Sequence, residues 1–416
     1  MALTEDDIYR ASTQYRLWSY TPESLISLRA TTNSHAAERV QAAIRKSHDA
    51  AGQKNSESDE PDIRVVDCLT AAEELAILTH FTQQCLRIAD AFKFPTNVKA
   101  SAAQYLKRFY LSNSVMTYHP KNIFPACLFL STKTENNYIS LDHFTEQLND
   151  ITGSKKRLTS DDIIAPEFVV TQGLRFTFDV RHPLRGLRGG LLELLAIARG
   201  TAALLPSLDK TTQQLRKEML DIRAPPDRPT KTTATTRDLE DRCGKAHDKA
   251  KDILASAALL TDVYFLYTPA QIWLASLLIV DEPLTLFYLD TKFPLASNPS
   301  GNDEDGASET IASDLQKARV ITLIRTCAEA MADYATGTVP TSREELVRID
   351  KKLYQCQNPE KADLVAMNAA VKRNGAIAKG DGTSETEEDA DARAAKKRRE
   401  ERERREKEGD VFGPAL

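Results

Sequence analysis

An all-α protein built from two repeats is what this sequence predicts. Three observations carry that expectation. Apolar residues recur at helical spacing over residues 71–354, outside two polar insertions, and no stretch alternates as a strand would. Two apolar runs, residues 123–130 and 272–280, are each accompanied by a proline near the start of the run. They hold corresponding places in blocks that recur at about 100 residues or more, whereas helical solenoids repeat every ~40–47. The predicted architecture is two five-helix repeats, flanked by N- and C-terminal helices and followed by a disordered, charged tail.

Residues 1–62 form an N-terminal helical segment. Within it, 24–45 lacks Pro and Gly and carries Leu25, Leu28 and Thr32 on one stripe, so it reads as a helix before a loop at 51–62. The first repeat is assigned to 63–180. Leu75, Leu78, Thr79, Cys85, Leu86 and Ala89 mark its first helix, which Phe94-Pro95-Thr96 ends because Pro disfavours helix just before itself. Val98, Ala102, Tyr105, Leu106 and Phe109 give the second helix one apolar face, and Ala102 and Ala103 are small enough to admit a close neighbour. The run containing Cys127 and Leu130 predicts a third helix starting near Asn122. Pro125 then sits in the first turn, where backbone N–H groups lack partners. Being apolar nearly all round, this helix is expected to be the central pillar. Ala102, Tyr105, Phe109, Cys127 and Leu130 are the predicted core of the repeat. Two further helices are expected near 140–148 and 161–176, the second capped by Ser160 or Asp161.

The second repeat is assigned to 181–336, with polar insertions near 206–238 and 294–308. Leu184, Leu187, Leu191, Leu194 and Leu195 open it, and helical patterning resumes over 239–267. Thr268-Pro269-Ala270-Gln271 combines an N-cap, Pro at N1 and Gln at N3, a complete capping box before the second buried run. Helical stripes return over 311–334 and 344–354, the latter within a C-terminal helical segment at 337–374. Residues 375–416 are the charged tail, where Lys396 to Arg399 read as either an import signal or a solvated charge run.

Composition narrows the function. The net charge of −5 gives no overall basic character, so direct nucleic-acid binding is not expected. Lys107, Arg108 and Lys121 cluster, as do Lys155, Lys156 and Arg157, but acids intervene. Six cysteines form no CxxC pair, which fits packing and a reducing compartment rather than a disulfide framework. The N-terminal stretch does not read as a signal peptide and the longest apolar run is about half of a ~20-residue membrane span, so no membrane partner is expected. Phosphate-loop, dinucleotide, zinc-protease and nucleophile-elbow motifs are absent, and no two of the seven histidines stand at i, i+4. Gly186, Gly189 and Gly190 lie near Arg185 and Arg188, but without a preceding strand they are a weak phosphate signal. The expectation is a non-catalytic protein with no cofactor and no metal.

The stretch 98–116 (VKASAAQYLKRFYLSNSVM), followed by Tyr118-His119-Pro120, resembles the second helix of a cyclin box. Residues 12–20 (STQYRLWSY) and 260–272 (LTDVYFLYTPAQI) resemble the cyclin H N-terminal segment and second-box junction. The resemblance to the cyclin family, cyclin H type, covers roughly residues 10–357 outside the insertions. It implies two cyclin boxes and allosteric activation of a cyclin-dependent kinase catalytic subunit within the CDK-activating kinase. The other implied partners are a RING-finger assembly factor and the TFIIH core, in a nuclear setting that supports RNA polymerase II tail phosphorylation. It places the kinase interface on Lys133, Glu167, Phe176 and Phe178. Read without the resemblance, Lys133 and Glu167 are an ordinary surface pair worth ~0–1 kcal/mol. The acidic run usual after the third helix is here Lys133-Thr134-Glu135-Asn136, one acid being Asn, and no MRAIL-type docking motif is found over 71–92. Other transcription-type cyclins (C, T, K or L) and a cyclin-fold nucleic-acid binder stand as alternatives.

Overall fold

Threonine side chains start five of the helices in the computed structural model. Thr70, Thr159, Thr211, Thr235 and Thr268 each accept the N3 backbone N–H, while the N3 side chain (Glu73, Asp162, Gln214, Asp238 or Gln271) reaches back to the cap. The structure describes residues 5–52, 66–153, 157–203, 210–222, 235–293, 304–335, 341–357 and 364–365. The chain divides after Leu364, and the account below concerns the unit ending there. The charged tail and the Lys396–Arg399 run lie outside the described residues.

Helices α1 (Glu5–Ala11), α2 (Thr13–Trp18) and α3 (Pro22–Gly52) precede the first repeat. That repeat comprises α4 (Ala71–Ala91), α5 (Thr96–Ser112), α6 (Pro120–Thr134), α7 (Leu141–Thr152) and α8 (Ser160–Gly173). The second comprises α9 (Leu184–Arg199), α10 (Thr212–Asp221), α11 (Thr236–Ala255), the single turns α12 (Ala257–Leu260) and α13 (Val263–Leu266), then α14 (Pro269–Val280), α15 (Glu282–Asp290) and α16 (Glu304–Ala335). Helix α17 (Arg343–Gln355) follows and packs on α4. Among the described residues there is no strand, and no helix is long and apolar enough to cross a membrane.

In the first repeat, α5 is surrounded by α3, α4, α6 and α8. Val98 and every residue from Ala100 to Leu111 are buried, so α5 is enclosed on all sides rather than on the one face its spacing suggested. It shares the centre with α6, whose residues 123–132 are also buried. Ala102, Tyr105, Phe109 and Cys127 are fully buried, and Leu130 nearly so.

Several boundaries differ from expectation. Helix α6 starts at Pro120, not near Asn122. The His119 ring accepts the Lys121 N–H at 3.1 Å, and the fixed φ of Pro120 suits N1. Pro125 is therefore inside the helix, not in its first turn. Thr159, not Ser160 or Asp161, caps α8, because only Thr159 can exchange hydrogen bonds with Asp162 at N3. Helix α8 ends at Gly173 instead of running to Phe176, since the chain turns left-handed at Arg175. The 206–238 insertion contains α10, which buries Leu215 and Met219 on the side of α9. Helix α3 extends to Gly52, and α16 begins inside the loop expected at 294–308. The expected helix over 239–267 breaks at Ser256 into α11 and two short turns.

Close approaches explain the glycines. A Cβ on Gly173 would sit 2.6 Å from the Phe109 ring, and one on Gly186 or Gly190 would meet the Trp273 indole at 2.5 or 2.8 Å. Gly186 and Gly190 thus admit a tryptophan, not a phosphate.

Two ion-pair groups fix the frame. Lys107, buried on α5, donates to the Thr261 carbonyl and lies 3.6 Å from Asp262, which Arg29 of α3 grips at 2.7 and 2.8 Å. The N-terminal helix, first repeat and second repeat meet there. Burial pushes Lys107 down to about 8. Burial works in the opposite sense on Asp262, but its hydrogen bonds with Arg29 and the charge of Lys107 hold it at about 2. In the second repeat, Arg242 pairs with Asp281 through two 2.8 Å contacts, with side chains 7% and 3% exposed. Asp281 also accepts the Leu284 N–H at 3.1 Å, so one carboxylate joins α11 to the corner between α14 and α15.

Candidate functional site

Lys133 lies in the last turn of α6, where the unpaired carbonyls favour a cation. Its ammonium meets the Glu167 carboxylate of α8 and stands 4.6 Å from the centre of the Phe129 ring. The side chains are 40% and 18% exposed, so the pair sits at the surface with its acid half sheltered. Helices α6 and α8 pack along their lengths, which brings these two residues together across 33 intervening positions.

Around this pair the surface is apolar. Helix α8 buries Ile163, Ala165, Pro166 and Val170. Ile164 and Phe168 are left in solvent, Phe168 at 61%. They are four residues apart and flank Glu167 on one side of the helix. Beyond the helix end, Phe176 is 62% exposed. Arg175 and Phe176 have φ of 53° and 55°, a conformation costing non-glycine residues about 1–2 kcal/mol each. Sequence reasoning missed Ile164 and Phe168. The available signal was that α8 carries more apolar residues than a one-sided surface helix buries.

Phe178 behaves differently from Phe176. It is half-buried, its ring edge-on to Tyr105 at 6.3 Å, and its carbonyl accepts the Tyr105 hydroxyl at 2.7 Å. The structure thus displays one of the two phenylalanines and packs the other inward.

Glu135, just past α6, ties this face to the start of the second repeat. Its carboxylate accepts Ser101 Oγ at 2.6 Å and Asn97 Nδ2 at 2.7 Å, with His182 Nε2 at 3.8 Å. The neighbouring His182, then the Ser101 and Asn97 donors, hold it at about 2 against the opposing effect of burial. Ser101, His182 and Glu135 have the residue types of a hydrolytic triad. However, Ser101 is fully buried and donates to the acid instead of to the imidazole, so the group is a structural junction. Among the described residues no cluster of His, Cys, Asp or Glu could hold a metal. The cysteines are unpaired, five of them buried. Lys107 and Arg108, two of the three cations of the first basic cluster, are buried and belong to no basic surface.

Comparison with known proteins bears on the whole arrangement. Residues 65–179 match the family model described as "Cyclin, N-terminal domain", and 182–332 match "Cyclin C-terminal domain". Lys133, Glu167, Phe176 and Phe178 fall within the former. Cyclin CCL1 of Saccharomyces cerevisiae is 30% identical, over 86% of this chain and 83% of its own length. Cyclin-H of Xenopus laevis is 29% identical over 45% of this chain and 54% of its own length. A chain in the structure of the CAK complex from Chaetomium thermophilum bound to ATP-γ-S is 27% identical. It superimposes with a TM-score of 0.65 over 92% of this chain and 100% of that one. A chain of the yeast TFIIK complex (Kin28/Ccl1/Tfb3) is 28% identical, with a TM-score of 0.50 over 78% of this chain and 100% of that one.

Proposed function

The chain belongs to the cyclin family, and from that premise we propose that it binds a cyclin-dependent kinase and switches it on, as the regulatory subunit of the CDK-activating kinase of TFIIH. The observation that carries this reading is the composite surface on α6 and α8: the Lys133–Glu167 pair among the exposed side chains Ile164, Phe168 and Phe176. Exposed apolar groups around a sheltered charge pair are the composition of a docking face. Each phenylalanine buried on docking contributes about 1.5–3 kcal/mol of apolar transfer. Lys133 and Glu167 satisfy each other in the free chain, and a docking surface that places charges opposite to them is favoured in one orientation over others.

The mechanism is a population shift. A protein kinase works only when its β3 Lys–αC Glu pair and its activation loop are in place. A rigid helical face that binds the kinase's mobile αC helix in the working position biases that two-state element toward activity. The two helices offering the face are held by the buried α5, so the surface is preformed and loses little freedom on binding. This chain supplies no reacting group; phosphoryl transfer belongs to the kinase.

The relatives support the assembly proposed around it. The yeast TFIIK complex contains Kin28 and Tfb3 beside Ccl1, and by analogy the partners here are a kinase catalytic subunit and a RING-finger assembly factor. The TFIIH core as dock, RNA polymerase II tail phosphorylation as output and a nuclear location complete the proposal. The test is co-expression with the kinase subunit of the same organism, gel filtration, and an assay on a polymerase-tail peptide. Co-elution with stimulated activity is expected; separate elution without stimulation contradicts the assignment.

A further inference from the structure

We infer that Trp18 is a positioning residue for kinase docking: it holds the left-handed turn at Arg175 and Phe176 that carries the Phe176 ring into solvent. The inference rests on the docking reading of the α6–α8 face.

Two consecutive residues with β-carbons in the left-handed region, neither a glycine, form a conformation that persists only where its surroundings impose it. Part of the constraint is local. Arg175 N–H donates to the Gln172 carbonyl at 2.9 Å, Phe176 N–H to Thr171 at 3.1 Å and Thr177 N–H to Leu174 at 3.0 Å. The rest comes from the far end of the chain. Trp18 Nε1–H donates to Thr177 Oγ1 at 2.9 Å, and that hydroxyl in turn donates to the Leu174 carbonyl at 2.8 Å. The indole is buried and takes two guanidinium groups, Arg108 at 5.2 Å and Arg175 at 5.3 Å from its ring centre. Arg175, the first left-handed residue, is thus drawn onto Trp18.

One turn earlier on α2, Gln14 continues the same function. Its side-chain oxygen accepts the Arg181 N–H at 2.6 Å, and it also meets Arg108 Nη2 at 3.4 Å. Arg108 Nη1 donates to the Asp179 carbonyl at 3.1 Å. The segment from Arg175 to Arg181 is therefore gripped on both sides of Phe176, while Phe176 itself stays outside the core. Helix α2 has only six residues and buries just Gln14 and Trp18. Trp18 also packs with Leu25, Leu111 and Phe265, and Arg108 links both side chains to α5; the hydrogen bonds to Thr177 and from the Arg181 N–H are the contacts that act on the Arg175–Arg181 segment specifically.

The test uses the full chain and the kinase catalytic subunit of the same organism, with dissociation constants from calorimetry. Thr177→Val removes the indole hydrogen bond with little change of volume, and Trp18→Phe removes it together with part of the buried ring. Each is expected to raise Kd about fivefold, the effect of one neutral hydrogen bond. In a Phe176→Ala background the same substitutions are expected to change Kd by less than about twofold, because the residue they position is gone. Equal losses in both backgrounds, or no loss in either while Phe176→Ala weakens binding, would overturn the inference. Should Trp18→Phe fail to fold by circular dichroism, Thr177→Val decides alone. If Phe176→Ala and Glu167→Lys both bind as the unaltered chain does, the docking reading itself falls, and this inference with it.

Discussion

The apolar helices α6 and α14, which hold corresponding places in the two repeats, each end beside a charge pair, and the two pairs do opposite things. At the end of α14, Asp281 is buried with Arg242, and its oxygens are shared between the guanidinium and the α15 backbone. At the end of α6, Lys133 meets Glu167 at the surface, with unburied apolar side chains on the same helix as the acid. A buried pair is costly to break because a lone charge remains in the interior. A surface pair contributes little to stability. The same location in a duplicated architecture is buried and structural in one copy and lies at the surface in the other, where the proposed function places a partner.

The largest effect should come from breaking the buried pair. Arg242→Ala leaves Asp281 unpaired and is expected to cost ~3–5 kcal/mol of unfolding free energy in denaturant titration, with kinase affinity of the folded fraction unchanged. A loss below ~1 kcal/mol would erase the contrast. Next, Phe168→Ala and Phe176→Ala are each expected to weaken kinase binding by about 1–3 kcal/mol while leaving the denaturation midpoint nearly in place. Third, Lys133→Glu is expected to weaken binding about tenfold. The change in stability should stay within ~1 kcal/mol.

The smallest effect concerns pH. Glu135 is held at about 2, below its unfolded value near ~4.3. Its stabilisation is therefore fully present above the unfolded value and is lost as pH falls through about 2. Glu135→Gln is expected to flatten the acid limb of the stability curve between those limits and to leave kinase binding at pH 7 within about twofold. An acid limb of unchanged slope would count against the junction described here.

What the sequence made legible was local. The Thr268–Gln271 capping box is read directly because its partners are three residues apart. The two repeats and the apolar helices α6 and α14 follow from apolar spacing and from the proline near the start of each run. What it hid depends on distant partners. Lys107 and Arg108 look like surface cations on α5, yet they are buried because Asp262 and the Thr261 and Asp179 carbonyls wait across the fold. Gly173 looks like a helix defect until Phe109 is seen against it. Lys133 and Glu167 carry no signal of their own and were singled out only through the family resemblance. Ile164 and Phe168 were passed over because an apolar helix face reads as core whether or not anything covers it. The role of Trp18 was equally hidden, since its contacts, Thr177 and Arg175, lie more than 150 positions away.

The measurement that tests the account most directly compares matched charge reversals on the two repeats. Glu167→Lys breaks the α6–α8 pair; Glu282→Lys breaks the exposed Arg325–Glu282 pair of the second repeat, 2.8 Å long and equally open to solvent on both sides. Calorimetric titration of each full-length variant with the kinase subunit should give about a tenfold loss of affinity for Glu167→Lys and less than about twofold for Glu282→Lys. Equal affinities for the two variants, or a greater loss for Glu282→Lys, would contradict the placement of the kinase on the first repeat.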